Sequence, residues 1–188
     1  ENSMTPQVLL VDSEISFPGG KFWANRITEL EVHRPEYKNL IVQLADAAAN
    51  KGHKVLVVAS RTEFLHTCAE MTKNRSVCIT GLVRDMKERN SLLEKIGNDE
   101  AEICWGTASI FSEGISQSAL SCIILATPIN NKPMLTQLIG RIIRLKEGKR
   151  TPLIIDIELK GSQSTKTQLN NRKAHYLQNG YVIQRLKK

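Results

Sequence analysis

Gln137, Arg141 and Arg144 stand four and three residues apart in the run Gln137-Leu138-Ile139-Gly140-Arg141-Ile142-Ile143-Arg144. If the stretch Lys132–Arg144 is one helix, that spacing brings the three side chains to a single face. Two guanidiniums that stay charged at any physiological pH, with an amide beside them, suit the clamping of a polyphosphate. Gly140 between them lets another backbone come close. On spacing alone, the solvated basic face of a surface helix describes the same residues equally well.

The elements that must position such residues follow from the hydrophobic pattern. Strand-like runs are Val8–Val11, Val55–Ala59, Ser76–Ile79, Glu102–Trp105, Cys122–Ala126, Leu153–Ile157 and Tyr181–Gln184. Several are apolar at consecutive positions, as strands covered on both faces are. Helical patterns fall between them, over Pro35–Asn50, Thr62–Lys73, Arg84–Gly97, Lys132–Arg144 and Ser164–Asn179. The alternation predicts an α/β fold: three layers, α/β/α, around a mostly parallel sheet. Residues 1–33 break the rhythm and contain Pro18-Gly19-Gly20, so they read as a lead-in or interdomain linker, with the domain spanning 34–188. In an open α/β sheet, ligands meet the carboxyl ends of the strands. Residues just past the strand-like runs are therefore the ones to watch: Ser60 and Arg61, Thr80 and Gly81, Thr107, and then Glu113 and Gly114.

Composition narrows the class. A content of 41% hydrophobic and 24% charged residues in 188 fits a globular chain and excludes a disordered one. The longest apolar run, Ser121–Pro128, is far too short to span a bilayer, and no signal-peptide pattern is present, so no membrane partner and a cytoplasmic setting are expected (the host cytoplasm for a viral protein). The net charge of +7 points to a polyanionic partner. Cys68, Cys78, Cys104 and Cys122 show no CxxC spacing, and the histidines do not pair at ligand spacing. Neither a metal site nor a disulfide is expected. No glycine-rich dinucleotide loop follows the first strand-like run, which weighs against a small-molecule transferase.

An ordered series of segments carries a family resemblance. Gln137–Arg144 resembles motif VI of superfamily 2 helicases, QxxGRxxR. Upstream, Trp105–Ile115 resembles motif V, Lys54–Arg61 resembles motif IV, and Ile79-Thr80-Gly81 with Arg84–Asn90 resembles the segment between them. Downstream, Leu153–Ile157 and Arg172–Tyr181 resemble the closing elements of the XPB/UvsW-like branch. The similarity covers about Arg34 to Arg185.

The resemblance implies the C-terminal RecA-like lobe of an ATP-dependent DNA helicase or branched-DNA translocase, in a setting of DNA repair or recombination. Arg141 and Arg144 would be arginine fingers reaching the γ-phosphate, with Gln137, Glu113 and Gly114 lining the nucleotide cleft. Ser60, Arg61, Thr80, Gly81 and Thr107 would contact the nucleic-acid backbone, which positions a strand without reading its sequence. Ser60 or Thr80 could equally cap the helix that follows. The implied partners are single-stranded or branched DNA, favoured over RNA, and an N-terminal RecA-like lobe. That lobe would mainly hold ATP and Mg²⁺, since no GxxxxGK[ST] occurs here: Gly20-Lys21 runs into Phe22, and Gly148-Lys149 into Arg150. Asp99-Glu100-Ala101-Glu102 precedes a strand instead of following one and reads as a charged turn. Ser116 departs from the family, whose motif V carries an acidic residue there, and puts the ribose contact in doubt. The alternative is a standalone RecA-like nucleic-acid-binding or regulatory module without ATPase activity.

Overall fold

A strand that is apolar at every position is stable only when both of its faces are covered. In the computed structural model, which describes residues 3–187, this is the situation of β2 (Val55–Ala59) and β5 (Cys122–Leu125), both buried throughout. Residues 1, 2 and 188, at the outer ends of the two expected segments, lie outside the described residues. The other strands are β1 (Gln7–Ser16), β3 (Ser76–Ile79), β4 (Ile103–Thr107), β6 (Leu153–Lys160) and β7 (Val182–Lys187). They form a seven-stranded sheet in the order β3-β4-β2-β5-β6-β1-β7. Every pairing between these strands is parallel. The fold is RecA-like α/β, with the sheet parallel throughout.

Alternation along each strand divides the apolar side chains between two cores. Val55, Val57 and Ala59 face one layer, where α1 (Trp23–His33), α2 (Pro35–Asn50) and α3 (Thr62–Met71) supply Leu30, Ile41 and Leu65. Leu56 and Val58 face the other. There α4 (Met86–Gly97), α5 (Ala108–Phe111), α6 (Lys132–Ile139) and α7 (Gln163–Gln178) contribute Leu93, Phe111, Leu138 and Tyr176.

Two expectations need correction. The first concerns the segment before Arg34, read as a lead-in. Its residues 7–16 form β1, an interior strand with β6 on one side and β7 on the other, and its residues 23–33 form α1, which buries Ile27 and Leu30. The run Val8–Val11 reads as a strand by itself, but a parallel strand takes its partners from far along the chain, here Val8 beside Ile154, and no local pattern shows that place in the sheet.

The second concerns the helix carrying Gln137. It stops at Ile139 rather than running to Arg144. The backbone then tightens, with the Arg141 amide donating to Leu138 and the Ile142 amide to Ile139. A Cβ at position 140 would lie 3.1 Å from the Gln137 carbonyl, so the backbone that comes close to Gly140 is the helix's own last turn. Beyond it, β-branched Ile142 is fully buried, and Arg144 forms an isolated antiparallel bridge with Ser3. Gln137, Arg141 and Arg144 therefore do not share a helical face.

The sheet also carries a buried charge pair. Asp156 on β6 is 1% exposed and Arg172 on α7 is 4% exposed. Arg172 donates to both carboxylate oxygens, from Nε at 2.9 Å and Nη2 at 3.0 Å, and Tyr176 adds its hydroxyl at 2.7 Å. Removing one partner strands the other charge out of water. Arg172→Ala should therefore cost about 3–5 kcal/mol in urea unfolding. A loss below about 1 kcal/mol, the scale of an exposed pair, would contradict this account.

Candidate functional site

Because every strand of the sheet runs the same way, all the carboxyl ends form one rim, and most of the expected contact residues lie along it. Ser60 and Arg61 follow β2, Thr80 and Gly81 follow β3, and Thr107 closes β4. Their surroundings differ in what they leave available.

Behind Ser60 and Arg61 lies a buried network. The Ser60 amide donates to Thr127 Oγ1 at 2.9 Å, the Arg61 amide donates to Glu31 Oε1 at 3.1 Å, and the Thr127 hydroxyl donates to Glu31 Oε2. The Arg61 guanidinium is committed to α1, with Nε donating to Thr28 Oγ1 and Nη2 to the Ala24 carbonyl, each at 2.9 Å. Thr80 is fully buried; its hydroxyl accepts from the Leu82 amide at 3.3 Å and lies 3.3 Å from His66 Nε2. That hydroxyl shapes the turn, leaving exposed Gly81 at the surface, where a Cβ would meet nothing within 4 Å. Thr107 stands at the N-cap of α5 without capping it, and its hydroxyl is buried with no hydrogen-bond partner among the described residues. A buried hydroxyl left unpaired is uncommon and costly.

The residues expected at the nucleotide form a second group. Glu113 and Gly114 are exposed just past α5, and Gly114 has φ +110°, a conformation that favours glycine. Arg141 ties this loop to the end of α6 by donating from Nε to the Phe111 carbonyl at 2.6 Å. Gln137 and Arg144 are exposed. Lys149 donates to the Arg144 carbonyl at 2.6 Å and to the Ser118 carbonyl at 3.2 Å, binding the same two segments again. Burial first, then the charges of Arg144 and Lys146, pushes the Lys149 ammonium down to about 8. Burial likewise lowers the Arg141 guanidinium, with the Arg144 charge adding to it. Among the described residues, no carboxylate pairs with Arg141, Arg144 or Lys149. The result is a cluster of cations with no carboxylate partner among the described residues.

Glu31, Thr127 and Lys149 have no signature in the sequence, because each acts through residues distant in the chain. A buried polar residue in an amphipathic helix is the only local sign Glu31 offers. Among the described residues, no cluster of three or more His, Cys, Asp or Glu could hold a metal ion. Nor is any helix long and apolar enough to cross a membrane. A cavity of about 300 Å³ beside α6 and α7, lined in part by Asn131, Asn171 and His175, collects none of the expected residues.

Glu31 makes the rim sensitive to pH. Desolvation raises its carboxyl to about 7, against the hydrogen bonds from Thr127 and the Arg61 amide, which act to lower it. The folded state then holds a proton that the unfolded state has released, so Glu31 favours folding below its ordinary range and loses that contribution as pH rises toward about 7. Glu31→Gln should remove the dependence: relative to the variant, the wild type should lose on the order of 3 kcal/mol between pH 4 and 8. Parallel stability–pH curves for the two proteins would contradict it.

Comparison with known proteins adds a second line of observation. The family described as helicase conserved C-terminal domain matches residues 36–146, more than half of the chain. A probable helicase, D10, of Escherichia phage T5 is 34% identical over 184 residues, covering 96% of this chain. Among solved structures, T4 UvsW superimposes with a TM-score of 0.71 at 17% identity over 98% of the chain. S. cerevisiae Dbp5 bound to RNA and ADP BeF3 gives 0.65 at 11% identity over 97%. These two likenesses are of fold. The chain spans 40% of D10, 42% of the UvsW chain and 41% of the Dbp5 chain.

Proposed function

The chain belongs to the helicase conserved C-terminal domain family, and from that membership we propose that it is the C-terminal motor lobe of an ATP-dependent DNA helicase or branched-DNA translocase. The observation that carries the proposal is the cluster of Arg141, Arg144 and Lys149, in which Arg141 and Lys149 bond Phe111 and Ser118 on either side of Glu113–Gly114, and which no carboxylate among the described residues matches. Such a cluster fits a polyphosphate presented from outside the lobe.

ATP and Mg²⁺ would be held mainly by a companion lobe with its own phosphate-binding loop; ATP would supply the phosphoryl group, on which negative charge develops, and Mg²⁺ would offset part of that charge. The residues here divide the work of meeting that charge. Arg144 is exposed and reaches outward. Arg141, half-buried, uses Nε to hold the Phe111 carbonyl and has its terminal nitrogens left for the phosphate. Gln137, exposed on the last turn of α6, offers an amide from the helix that precedes them, and Glu113 and Gly114 form the near wall.

Along the strand rim, Ser60, Gly81 and the Thr107 main chain meet the nucleic-acid backbone. Arg61 and Thr80 act behind them: the first braces α1 and the second shapes its turn. Closure of the two lobes on nucleotide and their reopening after hydrolysis move the gripped strand. The preference for DNA rests on the resemblance of Leu153–Ile157 and Arg172–Tyr181 to the XPB/UvsW-like branch. The Dbp5 neighbour is described with RNA, so matched DNA and RNA strands belong in the same assay.

The purified chain should not turn over ATP, and its oligonucleotide binding should weaken steeply and log-linearly with salt, as backbone contacts do. Robust turnover would overturn the division of labour between lobes. In a protein joining this lobe to a phosphate-binding partner lobe, Arg144→Ala should lower nucleic-acid-stimulated hydrolysis about a thousandfold or more and spare ATP binding. Unchanged turnover would remove Arg144 from the role of finger.

A further inference from the structure

We propose that Phe22 and Lys21, on the loop after β1, form an additional contact for single-stranded nucleic acid, in which a base stacks on the Phe22 ring and its phosphate lies by Lys21. The inference rests on the reading of the rim as a strand-binding surface and extends it to a loop outside motifs IV, V and VI.

The loop is built to hold an aromatic outside the core. Phe17, where it begins, is 3% exposed and packs against Trp23, with ring centroids 5.0 Å apart. Arg26 lies over the Phe17 ring at 4.8 Å, donates from Nε to the Pro18 carbonyl at 2.8 Å, and donates from Nη2 to Ser162 Oγ at 3.0 Å. Gly20 has φ +138°, and a Cβ there would press on the Arg26 stem at 3.3 Å, so the turn requires glycine. Both ends of the loop are thus fixed, and Phe22 between them is 60% exposed. The Phe22 ring thus stands in water beside a buried Phe17 and a half-buried Trp23, with its face open to stacking.

Position and charge identify the partner. The rim is shared by all the strands, and α1 begins right after Phe22. Arg61 reaches that first turn directly, through the Ala24 carbonyl at 2.9 Å, so the start of α1, where Phe22 stands at the N-cap, lies within reach of the Arg61 guanidinium. Lys21 is exposed, with its ammonium 5.6 Å from the Phe22 ring centroid. An exposed aromatic flanked by a cation, on a rim already lined with backbone-contacting groups, is what sequence-tolerant binding of single strands uses. The ring meets the face of any base and the lysine meets a phosphate. A protein surface would ask for an apolar patch around the ring, and of the exposed residues beside it in the chain, Gly19, Gly20, Lys21, Ala24 and Asn25, only Ala24 carries an apolar side chain.

The test separates base from backbone. Binding of the chain to oligo(dT) of about a dozen nucleotides, within the usual span of such sites, is compared at low salt with an abasic phosphodiester ladder of equal length. Phe22→Ala should weaken oligo(dT) binding about tenfold and leave the abasic ladder unchanged, while Phe22→Tyr retains the wild-type difference between the two. Lys21→Ala should reduce binding to both alike and flatten the salt dependence. Circular dichroism confirms that each variant is folded, as expected for exposed side chains. Equal loss on both ligands, or no loss on oligo(dT), overturns the stacking contact and leaves the rim's phosphate contacts standing. Failure of the wild type to bind either ligand overturns the strand-binding reading and this inference with it.

Discussion

Asp156 and Arg172 lie almost wholly out of water, and their bond holds the geometry on which the candidate site depends. Desolvating two charges is expensive, and it is tolerated here because the guanidinium fork meets both carboxylate oxygens and the Tyr176 hydroxyl adds a second donor to Oδ2. The third arm of the fork is then aimed away from the pair. Arg172 Nη1 donates to the Ile129 carbonyl at 3.0 Å, in the connection that leads from β5 into α6. An interaction inside the domain thereby fixes where the helix bearing Gln137 begins.

The same connection is held from the opposite face. Tyr37 on α2, itself fully buried, donates its hydroxyl to the Ala126 carbonyl, and Thr127 is bound to Glu31 on α1. Helices of both layers thus converge on the few residues from Ala126 to Ile129. Downstream, Arg141 and Lys149 join the end of α6 to the loop after α5. What reaches the solvent, Arg144 above all, is a short overhang on a backbone tied down from two sides. Groups meant to meet charge on a transferred phosphoryl group gain from such fixity, since no reorganisation is needed when that charge appears.

Some of this is legible in the sequence. Pro35–Asn50, Val55–Ala59 and Ser76–Ile79 have the bounds in the structure that their patterns predict, because an amphipathic helix and a doubly covered strand are written in local periodicity. The order of motif-like segments reads equally well, and the family match over residues 36–146 agrees with it. The reading falters where a local pattern competes with a distant partner. Lys132–Arg144 has a helical pattern, yet burial of Ile142 and the bridge to Ser3 draw the chain out of the helix after Ile139. Arg61 reads as a free cation beside a strand end, and α1 claims its guanidinium.

The sequence by itself determined the class of fold, the positions of most elements and the residues assembled at one rim, since each depends on side-chain types repeating at the spacing of a helix or a strand. Tertiary structure alone decided that β1 belongs inside the sheet, that the two candidate finger arginines leave the helix, and that Glu31, Asp156 and Arg172 brace the rim from beneath. The reason is physical. Those outcomes depend on hydrogen bonds and buried charges between residues far apart in the chain, such as Val8 beside Ile154 and Arg172 beneath Ile129, and no local pattern carries the energy of a contact that exists only once the sheet has formed.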